Sequence, residues 1–213
     1  MTPVEHARGD TSIRAVTRAD LLDVLHIEKS VFPQPWPYSA FERYVDAPGF
    51  LVSVTDADDA LDSPDETLDS SDGLQRRPAA DAADHATTGN GDSGGGLAAA
   101  LDSVTGDGET ITGYVVATER SDDGGPVGHV KNIAVHPDCQ HEGVGSALLA
   151  RALSVLSNRD VRGVKLEVRR GNDPAIGLYR SFGFEHHRTI PEYYADGEDA
   201  LLFVLDFADR DAF

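Results

Sequence analysis

Between a short apolar run, Asn132–Val135, and a long stretch with helical spacing lies Gln140-His141-Glu142-Gly143-Val144-Gly145-Ser146. A strand that gives way to a helix across so short a loop confines the chain to folds that mix the two element types. The two alternate glycines let the backbone turn sharply and leave amide N–H groups unpaired at a helix N-terminus, where the macrodipole favours an anion. The loop is therefore a candidate phosphate cradle, although a Gly-x-Gly before a helix is often no more than a turn. It lacks the Lys-Ser/Thr ending of a nucleotide P-loop and does not follow a first strand, which argues against an ATPase or a dehydrogenase.

Other segments extend the pattern. Ser12–Val16 reads as a strand, and Thr17 with Asp20 resembles a capping box for a helix running through Ile27 and Val31. Pro33, Pro35 and Pro37 end that helix, a short one follows at 39–45, and Phe50–Thr55 reads as a strand. Strands resume at 111–118 and 128–135. The helix after the glycine loop carries Val144, Leu148, Ala152 and Val155 on one face. Val164, Leu166 and Val168 alternate with Lys165, Glu167 and Arg169, the mark of a strand with two unlike faces. Asp173 and Pro174 suit the N-cap and first turn of a helix ending near Gly183, and 200–207 supplies a last strand. The order β-α-α-β-insert-β-β-α-β-α-β-β predicts a single mixed α/β domain over 1–213.

The insert is residues 56–110, with 14 acids against 2 arginines and the run Gly94-Gly95-Gly96. Poor in aromatic and β-branched residues, it reads as disordered chain inserted between two neighbouring strands, so its ends are expected to lie close together. It supplies a net −12 of the chain's −19, leaving −7 for the rest. With no basic stripe, nucleic-acid binding is disfavoured, and basic peptides are the more plausible partners. Three lysines (Lys29, Lys131, Lys165) and an excess of Asp over Glu resemble proteins of salt-rich cytoplasm, where high charge is screened within a few ångströms. No apolar run spans a membrane, Met1–Asp10 has no secretory h-region, and the single Cys139 excludes an intrachain disulfide. These features fit a cytoplasmic protein.

Two motifs in fixed order carry a resemblance. Gln140, Gly143 and Gly145 match the Gln/Arg-x-x-Gly-x-Gly/Ala acyl-CoA motif, and Asn172, Ala175, Leu178, Tyr179, Gly183 and Phe184 match its Asn-x-x-Ala-x-x-Leu-Tyr-x-x-x-Gly-Phe companion. The chain thus resembles the GNAT superfamily of acetyl-CoA-dependent N-acetyltransferases. Within it, Phe32–Trp36, Ile133–Pro137, Leu166–Arg169 and Tyr193–Ala200 look most like the ribosomal-protein alanine N-acetyltransferases (the RimI family) and the archaeal N-terminal acetyltransferases. The resemblance implies a mostly antiparallel sheet, splayed between its fourth and fifth strands and flanked by about four helices.

It also implies site roles. Gln140, His141, Glu142, Gly143, Val144, Gly145 and Ser146 would hold the pyrophosphate of acetyl-CoA, and Ile133, Ala134 and Val135 would pair with the pantetheine, with Asn172 and Tyr179 beside it. Glu167 would act as base toward the amine and Tyr179 as acid toward the thiolate, with no metal. Phe32, Tyr193 and Tyr194 would flank an entering protein N-terminus, a ribosomal protein's being one candidate. An α-amine near pH 8 surrenders its proton far more readily than a lysine, so a modest carboxylate base suits N-termini. Three departures stand out: Glu142 where the family is commonly basic or small, Cys139 where it is usually aromatic, and Pro191-Glu192 where it often has arginine. Plainer readings stay open at this point. Glu167 could pair with Lys165 or Arg169, Asn172 could cap a helix, and the tyrosines could merely pack. A small-amine or lysine acetyltransferase of the same fold, or a non-catalytic acyl-CoA-binding module, are the rival functions.

Overall fold

The computed structural model describes residues 11–56, 108–122 and 125–207. One seven-stranded sheet runs in the order β1-β2-β3-β4-β5-β7-β6. Its strands are β1 (Ser12–Ala15), β2 (Gly49–Asp56), β3 (Glu109–Asp122), β4 (Gly125–Val135), β5 (Gly163–Arg169), β6 (Glu185–Ile190) and β7 (Ala200–Asp206). Helices α1 (Leu21–Val31) and α2 (Tyr38–Glu42) cover one face; α3 (Val144–Ser157) and α4 (Asp173–Ser181) cover the other. All pairings are antiparallel except β4 with β5. Among the described residues, the mixed, mostly antiparallel sheet with four flanking helices is the α/β class that the element order predicts and the architecture that the family resemblance implies.

Each face has its own core. Leu148, Leu149, Ala152 and Leu156 of α3 pack with Val115, Ala117, Val130, Val164 and Leu166 of the sheet. Leu21, Val24 and Ile27 of α1 and Phe41 of α2 pack with Phe50, Val52, Tyr114 and Val116 on the opposite face. Gly128 permits close approach beneath α3, since a Cβ there would lie 2.8 Å from Leu156 Cδ1 and 2.9 Å from Val164 Cγ2.

Two irregularities of β4 set the shape of the sheet at its centre. Val116 pairs with Asn132 and Ala117 with Val130, so Lys131 is an extra, bulged residue. Pairing with β5 covers only Gly128–Val130 against Val164–Leu166. Beyond those three pairs β4 holds only to β3 and β5 only to β7, which opens the splay between them.

Some local expectations move. Asn172, not Asp173, caps α4: its Oδ1 accepts from Ala175 N–H at 3.2 Å, leaving Asp173 and Pro174 in the first turn. Asp20 precedes α1, and its carboxylate reaches back to accept Thr17 N–H (2.6 Å) and Thr17 Oγ1–H (2.9 Å) while binding both Nη atoms of Arg14. The expected disordered stretch of the acidic segment falls on 57–107, outside the described residues. The ends of the segment do meet, because Asp56 pairs with Glu109 and Thr55 with Thr110.

Candidate active site

The gap between β4 and β5 exposes backbone hydrogen-bonding groups by a simple rule of alternation. His136 N–H donates to Thr112 O on β3 at 2.8 Å. In an antiparallel ladder that orients Ala134 and Asn132 toward β3, and it turns the amides and carbonyls of Ile133 and Val135 into the gap. Ala134 therefore lies off the gap, with its side chain buried among Phe50, Tyr114 and Val116. Gln140 also turns inward: its Nε2–H donates to Val135 O at 3.1 Å, tying the loop to the end of the strand.

The glycine loop comes after a 3-10 turn, Pro137–Cys139, at the mouth of the gap. His141 (φ 66°) and Gly143 (φ 89°) both adopt the left-handed conformation. Left- and right-handed residues in alternation point successive N–H groups to one side, a nest suited to an anion, and the first turn of α3 adds the amides of Val144, Gly145 and Ser146. A Cβ on Gly145 would touch Leu178 and Val135 only at 3.6 Å, so the protein's own packing does not demand glycine there. Glu142 is exposed. Cys139 is half-buried, and burial, then Glu142 and Asp138, raise its thiol pKa, which leaves it unsuited to nucleophilic work.

On β5, Val164, Leu166 and Val168 face α3 and α4, while Lys165, Glu167 and Arg169 face the other way. Glu167 does not pair with Arg169. Its Oε2 lies 2.6 Å from Nε2 of His129, a β4 residue beside Lys165 in the parallel register. Lys131 Nζ lies 3.5 Å from Nδ1 of the same ring. Both ring nitrogens of His129 are thus engaged, Nε2 by the Glu167 carboxylate and Nδ1 by Lys131. Burial pushes the Glu167 pKa up, but the His129 hydrogen bond and charge, with Lys165 and Lys131, outweigh it and hold the carboxyl below its ordinary range. Burial, then Arg120 and Lys165, lower the Lys131 pKa against the pull of Glu167.

Tyr179 sits on α4 across the sheet from this pair, 5% exposed and edge-on to Phe184 at 5.9 Å. The structure thus brings Glu167 together with His129, and no hydrogen bond joins Glu167 to Tyr179. Burial, then Tyr194, raise the Tyr179 pKa well above a free phenol's, so its hydroxyl keeps its proton.

The loop after β6 is held by Arg169. Its Nη1 donates to Asp196 (2.8 Å) and Glu198 (2.7 Å), its guanidinium lies 4.0 Å over the Tyr194 ring, and Gly171 N–H donates to Glu198 at 2.9 Å. Tyr193 packs edge-on to Tyr194 at 5.1 Å and is half exposed beside Glu167. Burial, partly offset by Arg169, pushes the Tyr194 phenol up to about 12. Phe32 ends α1 and packs on the α1–α2 core.

Two residues went unread in the sequence. His129 is one. The other is Glu28, 1% exposed, whose carboxylate accepts from Trp36 N–H (2.7 Å), the Tyr114 hydroxyl and Asn132 Nδ2 (3.2 and 3.3 Å). It links α1, the α1–α2 linker, β3 and β4 at the edge of the gap.

A model of the acetyltransferase (GNAT) family matches residues 65–184, more than half of the chain. This chain belongs to the GNAT family. An N-alpha-acetyltransferase of Sulfurisphaera tokodaii is 43% identical over 78 residues, covering 36% of this GNAT chain and 47% of the relative. The [ribosomal protein bS18]-alanine N-acetyltransferase of Escherichia coli K12 is 46% identical over 77 residues, covering 35% and 52%. The chain spans about half the length of the curated relatives it matches. Arabidopsis thaliana NAA60, solved in complex with acetyl-CoA, shares the fold with a TM-score of 0.64 at 20% identity, covering 93% of this chain and 99% of that one.

Proposed function

We propose that this chain transfers the acetyl group of acetyl-CoA to the N-terminal α-amine of a protein, by direct attack within a ternary complex. The observation that carries the reading is the Glu167–His129 pair at 2.6 Å, where β4 and β5 part and beside the amides of Ile133 and Val135 that face the gap. Names of relatives that act on N-termini, one on a ribosomal-protein alanine, support the same acceptor class. A ribosomal-protein alanine and a cytoplasmic location are part of this proposal.

Each step has a candidate group. Amides of residues 140–146 hold the pyrophosphate, with Asn172 near the pantetheine, and the pantetheine adds to the edge of β4 at Ile133 and Val135 as a further strand would. Glu167, ionised and held by His129, takes a proton from the incoming ammonium directly or through one water. The neutral amine attacks the thioester carbon, and a β4 amide facing the gap stabilises the oxyanion. As the C–N bond forms and the C–S bond breaks, Tyr179 gives its proton to the departing thiolate, and the second proton of the amine nitrogen passes through water to the tyrosinate, so that a neutral amide and an intact Tyr179 result. Phe32, Tyr193 and Tyr194 flank the peptide. Among the described residues no cluster of three or more His, Cys, Asp or Glu is arranged to hold a metal ion, and none of these steps calls for one.

The test offers the protein a peptide with a free N-terminus and the same peptide blocked at its N-terminus but carrying a lysine. Mass spectrometry is expected to find acetylation on the α-amine of the first. Transfer confined to the blocked peptide would move the assignment to a lysine acetyltransferase, and CoA binding without any transfer would make the chain a binding module.

A further inference from the structure

Against a net charge of −19, the floor of the sheet around Glu167 is basic. Two of the chain's three lysines, Lys131 and Lys165, lie there. Lys165 is the register partner of His129, and the bulge adds Lys131 to the same side, 3.5 Å from the His129 ring. Arg120 on β3 pairs with Val127, two residues before His129 on β4, and so projects from the same face. It is close enough to Lys131 for the two to repel, as is Lys165. Among the described residues no carboxylate forms an ion pair with any of the three, whereas Arg14, Arg18, Arg159, Arg169 and Arg170 all have acidic partners. Among the described residues Glu167, bonded to His129, is the carboxylate whose charge acts on Lys131, and it answers one of three neighbouring cations at most.

Helices α1 and α2 pack on β2, β3 and the distal half of β4; beyond them Arg120 is exposed, Lys131 and Lys165 are partly exposed, and His129 and Glu167 keep 12% and 18% of their side chains accessible. An acid-rich protein that keeps three neighbouring cations unpaired beside its reacting centre loses attraction there unless an anionic group supplies it. The pyrophosphate does not, because its cradle lies at the opposite end of β4, beyond Val135. What reaches this floor is the acceptor. We propose that Arg120, Lys131 and Lys165 select acceptor N-termini whose second and third side chains are acidic.

The inference rests on the N-terminal transfer proposed above. The same cations favour the chemistry, since positive charge near an ammonium drives it toward the neutral, nucleophilic amine. It also reverses the expectation from net charge, which would steer basic peptides to the molecule as a whole. Within a few ångströms of the amine the local charges outweigh the distant ones, which salt screens.

Three peptides identical except at positions two and three (Glu-Glu, Ala-Ala, Arg-Arg, each after the same small first residue) are compared by kcat/KM at one salt concentration. Glu-Glu is expected to exceed Arg-Arg by about tenfold, chiefly through KM, given three cations at side-chain distance in a screened medium. Arg120→Glu with Lys165→Glu, which leaves the His129 contacts in place, is expected to invert the order. The Ala-Ala peptide on that variant reports its general competence, so only the ratio of the two charged peptides is read. A flat order in the unmodified protein, or an order unmoved by the reversal, overturns the inference while leaving N-terminal transfer intact. Failure to acetylate all three peptides overturns the transfer itself and the inference with it.

Discussion

At the scale of single residues, the site turns on how two carboxylates are satisfied, Glu28 buried and Glu167 partly so. Glu167 is held below its ordinary pKa by His129 and the two lysines, and so is ionised well into mildly acidic solution. A carboxylate base is present above its pKa and lost as pH falls through it. The kcat/KM profile is therefore expected to rise through one ionisation near pH 8, that of the acceptor α-amine, with no second limb in the neutral range. Glu167→Gln is expected to lower kcat by about 10²-fold with CoA affinity unchanged; a loss under threefold would remove Glu167 from the proton path. Glu28 answers to stability. Replacing it with Ala leaves the Tyr114 hydroxyl, the Asn132 amide and Trp36 N–H unpaired in the interior, at a cost of about 3 kcal/mol in chemical denaturation. The sequence displayed half of this. Glu28 falls on the buried stripe with Leu21, Val24 and Ile27, but a glutamate there reads as solvated until its three donors, distant in sequence, are seen to converge. His129 was hidden for a different reason. Its partner is fixed by the parallel register of β4 and β5, which no local spacing encodes.

At the scale of elements, alternation in β5 was legible because its two faces meet unlike environments. The helix after the glycine loop was legible for the same reason. The shift of the α4 cap by one position, from Asp173 to Asn172, reflects competition between two good capping residues, decided by which side chain reaches Ala175 N–H. The bulge at Lys131 was not visible, since it arises from how β4 fits β3 and leaves no mark in composition. The glycine loop carries its own prediction. Exposed Glu142 stands beside a nest of N–H groups built for an anion, so Glu142→Arg is expected to tighten CoA about fivefold at low ionic strength, measured by calorimetry. The gain should fade toward 1 M salt, where screening acts within about 3 Å. An equal gain at both salts would mean a contact rather than a field.

For the molecule as a whole, two cores on opposite faces of one sheet are bound together through β3 and β4. The chain on either side of the acidic segment is joined in the sheet, with Asp56 and Glu109 as partners. Deleting residues 60–106 is expected to leave the unfolding midpoint within a few degrees and acetyl transfer within about twofold. A collapse of either would assign the segment a part in folding or in binding. Fold class, element order and the meeting of those two ends could be read from sequence because each rests on local periodicity or on chain continuity. The electrostatic character of the site could not, since charge summed along a chain says little about where cations lie once a sheet has formed.

The short parallel pairing of β4 and β5 leaves a mark on hydrogen exchange. In most strands buried in mid-sheet every amide is slow to exchange. Here slow and fast amides should alternate within one strand: Asn132 and Ala134, bonded toward β3, exchange slowly, while Ile133 and Val135, turned into the gap, exchange quickly in the free protein. Saturating CoA should slow Ile133 and Val135 and leave their neighbours as they were, so that two amides report occupancy without any turnover being measured.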